Sequence, residues 1–226
     1  MALSSVAMAS PTPDSSFQFG QWTLVDANQK RASDRVLLVR ESHRLRAQTE
    51  ACISEVYEQA FGARSLKFPS TLVALIDHNG KPICAAGLRT AREGFFSEVY
   101  LDAPIEQALS AKLKTTIARK LVFEVTTLVS RKAEVSSVFV RQLVLLGRRA
   151  GFEWSFFTAT TRLRKLLHHL RIPLLQLGAA DPQRISFPER WGSYYTHSPQ
   201  VCAVSGHWLD EIRTPCRGVL PSASTV

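Results

Sequence analysis

The stretch LVFEVTTLVSRKAEVSSVFVRQL, residues 121–143, reads as a strand, a polar bend and a helix. Apolar and β-branched residues dominate Leu121–Leu128, which predicts a strand buried on both faces, with Glu124 as its one acid. The helix continues to Ala150, and Gly151 ends it. Because a further strand follows, the unit predicts two neighbouring parallel strands joined by a crossover helix.

The bend between this strand and helix has features of a phosphate site. Ser136 or Ser137 can cap the helix, whose first amides are free donors at the positive end of the helix dipole. Arg131 and Lys132 add formal positive charge. Backbone without glycine approaches a diphosphate poorly, so a single phosphodiester suits this bend better than a diphosphate does. The alternative is a basic loop that only caps a helix.

Upstream residues predict an antiparallel hairpin. Two strand-like runs in TLVALIDHNGKPICAAGLRTA, residues 71–91, flank Asn79-Gly80, a pair typical of tight hairpin turns. A helical rhythm over residues 41–61 precedes the hairpin and ends at Gly62. FFSEVYL, residues 95–101, predicts a third strand.

The elements on either side of the opening stretch complete the order. Asp102 and Pro104 suit the start of a helix after the third strand. WSFFTAT, residues 154–160, predicts a buried strand, and RLRKLLHHL, residues 162–170, a short basic helix. A last strand is expected in SPQVCAVSG. Antiparallel strands first and a parallel crossover afterwards predict a single-domain α+β fold with a mixed central sheet flanked by helices.

The net charge of +9 is concentrated in one segment. Residues 120–171 hold ten bases and three acids, and therefore carry seven of the nine net charges. Such a segment suits an acidic partner: a carrier protein, nucleic acid, anionic lipid or a nucleotide cofactor. The alternative is a solvated basic surface without a partner.

The termini and the cysteines bound the architecture. Residues 1–17 and 208–226 have the composition of disordered tails, which leaves one domain at residues 18–207. No stretch has the ~18–20 apolar residues of a membrane span. The start of the chain lacks the pattern of a secretory signal, so we expect a cytoplasmic protein. Four scattered cysteines without a CxxC pair predict free thiols and no metal site.

Five blocks of sequence, taken together, resemble the thermostable hemolysin family. The blocks are FGARSLKFPSTLVALIDHNGKPICAAGLRTA, FFSEVYLDAPIEQAL, VFEVTTLVS, GFEWSFFTATTRLRKLL and WGSYYTHSPQV. The order of elements resembles the Gcn5-related N-acetyltransferase (GNAT) fold. The glutamate-led central strand is distantly similar to that of acyl-homoserine lactone synthases.

The resemblance implies a GNAT-like fold in which two parallel strands splay apart and hold an acyl thioester between them. It implies an N-acyltransferase that moves an acyl group from acyl carrier protein (ACP) or acyl-CoA to an amine of a small molecule, with no tightly bound cofactor. Members of the family tend to read EVGNLA where this chain reads EVTTLVS. Acetyltransferases follow that strand with a glycine-containing loop for the CoA pyrophosphate, and its absence favours a carrier-borne pantetheine arm.

Glu124 and Glu98 are the candidate catalytic carboxylates. A carboxylate buried in a strand costs several kcal/mol unless it is paired or protonated, and burial raises its pKa toward that of a base for an amine. Alternatively, Glu124 binds the amine electrostatically or forms an ion pair with Arg89 or Arg141. We assign these two arginines to substrate binding. Glu98 and Arg89 either line a cleft or pair across strands on an exposed face.

The two splayed strands supply candidate contacts to the thioester. Leu128 and Val129 end the first strand, and the resemblance places them beside the acyl thioester. Thr158 and Thr160 end the second strand and can donate hydrogen bonds to a thioester or an oxyanion, although threonine is also a common strand residue. Arg162 begins the next helix and contacts either a phosphate or solvent.

Three aromatic residues in WGSYY form another candidate group. Trp191 and Tyr194 are predicted to build an aromatic wall for an acyl chain. The hydroxyl of Tyr195 can protonate a leaving thiolate. Alternatively, all three pack the last strand onto the core.

Three further readings remain open at this point. Leu163, Leu166, Leu167 and Leu170 form a stripe beside basic residues, which fits a membrane-active, hemolysin-like protein in peripheral contact with lipid. The same stripe would pack a helix onto a sheet. The charge fits a nucleic-acid binder, but no recognition motif accompanies it, so we expect no nucleic-acid partner. A non-catalytic protein that binds acyl thioesters is the third reading.

Overall fold

A seven-stranded mixed sheet forms the centre of the structure, a computed structural model that describes residues 35–208. The strands are β1 (Arg35–Arg40), β2 (Thr71–Ile76), β3 (Pro82–Thr90), β4 (Val122–Ser130), β5 (Trp154–Ala159), β6 (Leu175–Ala179) and β7 (Gln200–Ser205). The helices are α1 (Arg46–Phe61), α2 (Ile105–Leu113), α3 (Ala133–Arg149) and α4 (Thr161–His169). The predicted tails lie outside the described residues, except for position 208.

The strands follow the order β1-β2-β3-β4-β5-β7-β6. Strands β1 to β4 are antiparallel neighbours, and the turn between β2 and β3 is the predicted hairpin. The Asp77 carboxylate accepts hydrogen bonds from the amides of Asn79 and Lys81, both at 2.9 Å, and Gly80 takes a positive φ of 76°. These contacts are the reason that the Asn-Gly pair turns the chain here.

The predicted parallel pair, β4 and β5, is joined by the crossover helix α3. Only three residue pairs connect the two strands, from Val122↔Trp154 to Glu124↔Phe156. Beyond that point β4 pairs only with β3, and β5 pairs with β7. The two strands therefore splay apart, which confirms the α+β, GNAT-like architecture expected from the sequence.

Several predicted elements differ from those observed. Residues 95–101 do not form a strand: the chain turns there, and Ser97–Tyr100 is a short 3-10 helix. The reason is local, because the amides of Phe96 and Ser97 point at the Glu124 carboxylate and not at a neighbouring strand. Strands β1 and β6 were not predicted, and α1 begins at Arg46, after β1.

The helix starts also differ from the prediction. Helix α3 begins at Ala133, so neither Ser136 nor Ser137 caps it; the Ser136 hydroxyl donates to the Lys132 carbonyl within the first turn. Helix α2 is not capped by Asp102. The Glu98 carboxylate, from the preceding turn, accepts a hydrogen bond from the Ile105 amide at 2.9 Å.

The helices cover both faces of the sheet. Helix α3 buries Phe139, Leu143 and Leu146 against one face, and α1 and α2 cover the opposite face. The leucine stripe of α4 packs inside the domain: Leu167 is buried, and Leu163 and Leu170 pack against the same cluster. Three of the four leucines of the stripe therefore make intramolecular contacts.

The remaining global predictions concern thiols and membrane spans. Cys52, Cys84 and Cys202 are buried free thiols. Cys216 lies outside the described residues. Within residues 35–208, no helix is both long enough and apolar enough to cross a membrane.

Candidate active site

A cavity of about 1150 Å³ occupies the gap between the splayed strands. Residues from both strands line it, among them Val125 and Leu128 of β4 and Phe157 and Thr158 of β5. Because the gap penetrates the sheet, the cavity reaches the layers on both faces. A cavity of this size can enclose most of a drug-sized or larger ligand.

One part of the cavity is an apolar chamber beneath α3 and α4. Its walls include the buried side chains of Phe139, Leu143, Val144, Leu167 and Ile172. Such a lining offers no hydrogen bonds and favours a hydrocarbon chain, whose transfer from water contributes about 0.8 kcal/mol per CH₂. The leucine stripe of α4 thus contributes to this chamber.

Glu124 lies at the point where the strands part. Its side chain is fully buried (0% exposed), and its carboxylate accepts the amides of Phe96 and Ser97, each at 2.7 Å. The Ser97 hydroxyl also hydrogen-bonds to this carboxylate. Burial raises the pKa of Glu124 above its ordinary value, against the opposing effects of these donors and of the Arg89 charge. A carboxyl group with a raised pKa suits a base for an amine.

A chain of hydroxyls connects this buried carboxylate to the cavity. Ser97 is 2% exposed, and its Oγ accepts a hydrogen bond from Thr158 Oγ1 at 2.8 Å. Both Ser97 and Thr158 line the cavity. Since Ser97 in turn hydrogen-bonds to Glu124, the three groups form a continuous path for a proton from the cavity wall to the carboxylate.

The first splayed strand is distorted beside this path. Two residues of β4, Thr127 and Leu128, lie opposite the single residue Ala86 of β3, which makes a β-bulge. Thr127 takes a φ of 47°, a rare value for a β-branched residue. The hydroxyls of Thr126 and Thr127 are buried without a hydrogen-bond partner in the described part of the chain, and both residues line the cavity. Buried hydroxyls of this kind are available to a ligand.

The charge of the cavity is strongly one-sided. Of the described residues, seven basic side chains line it and no acidic side chain does; they are Arg64, Lys67, Arg89, Arg131, Arg162, Arg184 and Arg190. Several are already engaged: Arg131 pairs with Glu55, and Arg184 pairs with Asp102. The cavity as a whole favours anionic ligands.

Two of the three predicted aromatic residues lie at the wall of the cavity, and the third, Tyr195, does not line it. Trp191 and Tyr194 line it, and their ring centroids are 5.5 Å apart. The Tyr195 hydroxyl lies 2.6 Å from the hydroxyl of Tyr100, which also lines the cavity. Burial raises the pKa of both tyrosines, so both hydroxyls stay protonated at neutral pH. Each hydroxyl therefore carries a proton at neutral pH and is available as a hydrogen-bond donor.

Other predicted site residues lie elsewhere or serve the fold. Glu98 pairs with Arg119 and caps α2. Burial raises the pKa of Glu98, but the hydrogen bonds from Arg119 and from the Ile105 amide outweigh that effect and bring the pKa below its ordinary value. Arg141 is exposed on α3 and does not line the cavity. Thr160 lines the cavity and also caps α4, through a 3.4 Å hydrogen bond from the Leu163 amide.

The predicted phosphate-binding bend is only partly oriented toward the cavity. Arg131 and Ser136 line the cavity, whereas Lys132 and Ser137 do not. Leu128, Val129 and Arg162 do line it. Helix α3 has no side-chain cap, and Glu134 places a negative charge in its first turn. That charge opposes a phosphate at this end of the helix.

Sequence reasoning did not identify four residues that this geometry brings to the site: Ser97, Tyr100, Thr126 and Thr127. Ser97 and Tyr100 lie in the stretch predicted as a strand. For Thr126 and Thr127, a signal was present, because TT stands where the family pattern has GN. The difference from the family pattern thus falls at the β-bulge of β4.

The fold places the protein in a recognised structural class. The acyl-homoserine lactone (AHL) synthase LasI superimposes with a TM-score of 0.53 at 8% identity, over 76% of this chain and 90% of that chain. TofI, solved in a ternary complex with an inhibitor and MTA, superimposes with a TM-score of 0.50 at 11% identity, over 76% and 91%. The class is the GNAT-like α+β fold.

The family is narrower than the fold. Residues 39–207 match the thermostable hemolysin family, to which this chain belongs, as its sequence blocks predicted. Among curated proteins, none matches the chain in sequence.

Proposed function

We propose that the protein is an N-acyltransferase that moves an acyl group from a carrier-protein or CoA thioester to an amine of a small molecule. One observation carries the proposal: the gap between the splayed strands joins an apolar chamber to a buried carboxylate through two hydroxyls. The chamber accommodates an acyl chain. The hydroxyl path removes a proton from a nucleophile in the cavity.

In this mechanism the thioester carbonyl lies in the gap between β4 and β5. The amine nitrogen attacks the carbonyl carbon, and its proton passes to the oxygen of Thr158. The Thr158 proton moves to Ser97, and the Ser97 proton moves to Glu124. The unpartnered hydroxyls of Thr126 and Thr127 are available to stabilise the oxyanion.

Collapse of the tetrahedral intermediate breaks the carbon–sulfur bond. The thiolate then takes a proton from the hydroxyl pair of Tyr100 and Tyr195, and the amide product remains. To regenerate the enzyme, Glu124 releases its proton through the same hydroxyls to solvent. The deprotonated tyrosine then takes a proton from solvent. No covalent enzyme intermediate is required, because donor and acceptor occupy the cavity together.

For the donor, we favour a pantetheine arm delivered by an acyl carrier protein, with CoA as the alternative. The bend before α3 has no glycine, and backbone without glycine approaches a diphosphate poorly. The basic segment at residues 120–171 suits the acidic surface of a carrier. A cytoplasmic location goes with such a partner.

The test uses the purified full chain with decanoyl-CoA or decanoyl-ACP and a mixture of amines. Thiol release and mass spectrometry of N-decanoyl products are followed. We expect wild type to form N-acyl product and Glu124→Gln to lose about 100-fold or more of the rate, as expected for a general base. Glu58→Gln, an exposed change of the same charge on α1, is the control and should match wild type.

Thioester binding is measured separately, by quenching of tryptophan fluorescence with a non-hydrolysable decanoyl-CoA ether. Absence of both binding and N-acyl product from wild type would reject the proposal. Binding without transfer to any amine would favour a non-catalytic thioester-binding protein instead.

A further inference from the structure

We infer that the acceptor amine also carries a carboxylate, as an α-amino acid does, and that Arg89 binds that carboxylate. The inference rests on the proposed acyl transfer and specifies its second substrate. It depends on three observations: the charge of the cavity, the position of Arg89 and the engagement of the other bases.

The charge of the cavity argues against a simple amine. An alkylamine is a cation at neutral pH, and the described lining has seven bases and no acid to attract it. A zwitterionic amino acid enters with no net charge. Its carboxylate interacts favourably with the basic lining, and the same positive field favours loss of the proton from its ammonium group.

Arg89 is the base placed nearest to the chemistry. It lies directly opposite Glu124 in the β3–β4 ladder, and side chains at paired positions lie on the same face of a sheet. Its charge acts on the pKa of Glu124, so the two side chains share one electrostatic environment. Phe95 and Ser97, which flank that environment, line the cavity together with Arg89.

Arg89 is also half-buried and unpaired. No hydrogen bond or ion pair joins its guanidinium to another group within residues 35–208. A guanidinium cannot lose its charge in a protein, so partial burial leaves its donors to solvent or to a ligand. Its planar donors match the two oxygens of a carboxylate.

The other bases are less suited to this role. Arg131 and Arg184 already pair with carboxylates of the protein. Arg190 is exposed, and its guanidinium stacks on the Phe187 ring at 4.4 Å. Arg162 lies in the first turn of α4 and is exposed, as are Arg64 and Lys67.

The arrangement fits the short span of an α-amino acid. One carbon separates its carboxylate from its amine, so a carboxylate held by Arg89 keeps the amine on the Glu124 face of the sheet. The entry to the proton path, Thr158, lies on that face, since its hydroxyl reaches Ser97. Arg89 is thus a positioning residue for the nucleophile.

The test compares two product analogues that differ only in the carboxylate: N-decanoylglycine and N-methyldecanamide. Binding to the full chain is measured by isothermal titration calorimetry. We expect wild type to bind the carboxylate-bearing ligand about tenfold or more tightly, as charge-assisted hydrogen bonds predict. Arg89→Gln should reduce the ratio to less than about threefold. Arg141→Gln, the same charge change at an exposed position off the cavity, should leave it intact.

Arg89→Lys separates a carboxylate contact from an effect on Glu124. The lysine keeps the positive charge near Glu124 but lacks the planar fork, so it should retain part of the preference. Equal binding of both ligands by wild type, or an unchanged ratio in Arg89→Gln, would overturn the acceptor assignment and leave acyl transfer standing. Binding of neither ligand, together with no thioester turnover, would overturn both.

Discussion

The close fit of β3 against the bulge of β4 predicts that Gly87→Ala strongly destabilises the domain. A Cβ at position 87 would lie 2.3 Å from Thr126 Oγ1 and 2.8 and 2.9 Å from two ring carbons of Pro69. Neither neighbour is the free end of a long side chain: Thr126 is β-branched in a distorted strand, and proline is a rigid ring. Because neither neighbour can rotate away, the added methyl group would force the backbone of β3 or β4 to shift.

The cost follows from these distances. Overpacking of a well-packed core typically costs 1–3 kcal/mol, and three contacts below 3.0 Å place this site at about 3 kcal/mol. For a domain of this size, that corresponds to about 6–12 °C in Tm. The matched control is Gly178→Ala in β6, where the nearest atom would be 3.5 Å away, and we expect a change below about 1 kcal/mol.

A double-mutant cycle in urea identifies the cause. Thr126→Gly removes the hydroxyl that meets the new methyl group and restores the residue of the family pattern. It should recover about 1–2 kcal/mol of the Gly87→Ala loss, while the Pro69 contacts keep the remainder. If Gly87→Ala costs no more than Gly178→Ala, or if the cycle gives no coupling energy, the tight-packing argument is wrong.

Three further predictions concern the same region and the thiols. Burial raises the pKa of Glu124 above its value in the unfolded chain, so its contribution to stability is present below about pH 4.5 and is lost as the pH rises toward the raised pKa. The free energy of unfolding of wild type, minus that of Glu124→Gln, should therefore decrease with rising pH in that window; a difference that increases would contradict the sign. Thr127→Asn should stabilise the domain by about 0.5–1 kcal/mol in urea unfolding, because asparagine tolerates the left-handed φ of 47° better than threonine does; a loss of stability would show that the methyl group of Thr127 matters more than its φ. Burial raises the pKa of the Cys202 thiol to about 11, so iodoacetamide at pH 8 should label it only after unfolding, as peptide mass spectrometry can determine, and rapid labelling of the native protein would disagree.

The parts of the fold that could be predicted from sequence are those specified by local patterns. The Asn79-Gly80 turn and the strand–helix–strand unit depend on residues close in the chain, and both were found. The turn at residues 95–101 could not be predicted, because its amides are satisfied by Glu124, 27 and 28 positions away. The alternating pattern of side chains in that stretch therefore predicts a strand where the chain forms a turn and a short 3-10 helix.

In the candidate site, too, features of single residues could be predicted from sequence, whereas contacts between distant segments could not. Glu124 is conspicuous in sequence as an acid in an apolar strand, and the structure finds it buried. Its connection to the cavity through Ser97 and Thr158 joins segments 61 positions apart, which no sequence spacing reveals. Arg141 was predicted to bind substrate, but it lies on the exposed side of α3. The sequence of the helix did not show which of its sides faces solvent.

The three residue pairs that join β4 to β5 have a mechanical consequence. They divide the sheet into two leaves, β1 to β4 and β5 to β7, hinged along one short edge. A few degrees of rotation about that edge change the width of the gap most at its far end, so opening of the leaves would accommodate different chain lengths of the proposed acyl donor. Glu124 occupies the last rung of the hinge. The group that we propose takes up the proton is thus located at the pivot, where the displacement on opening is smallest.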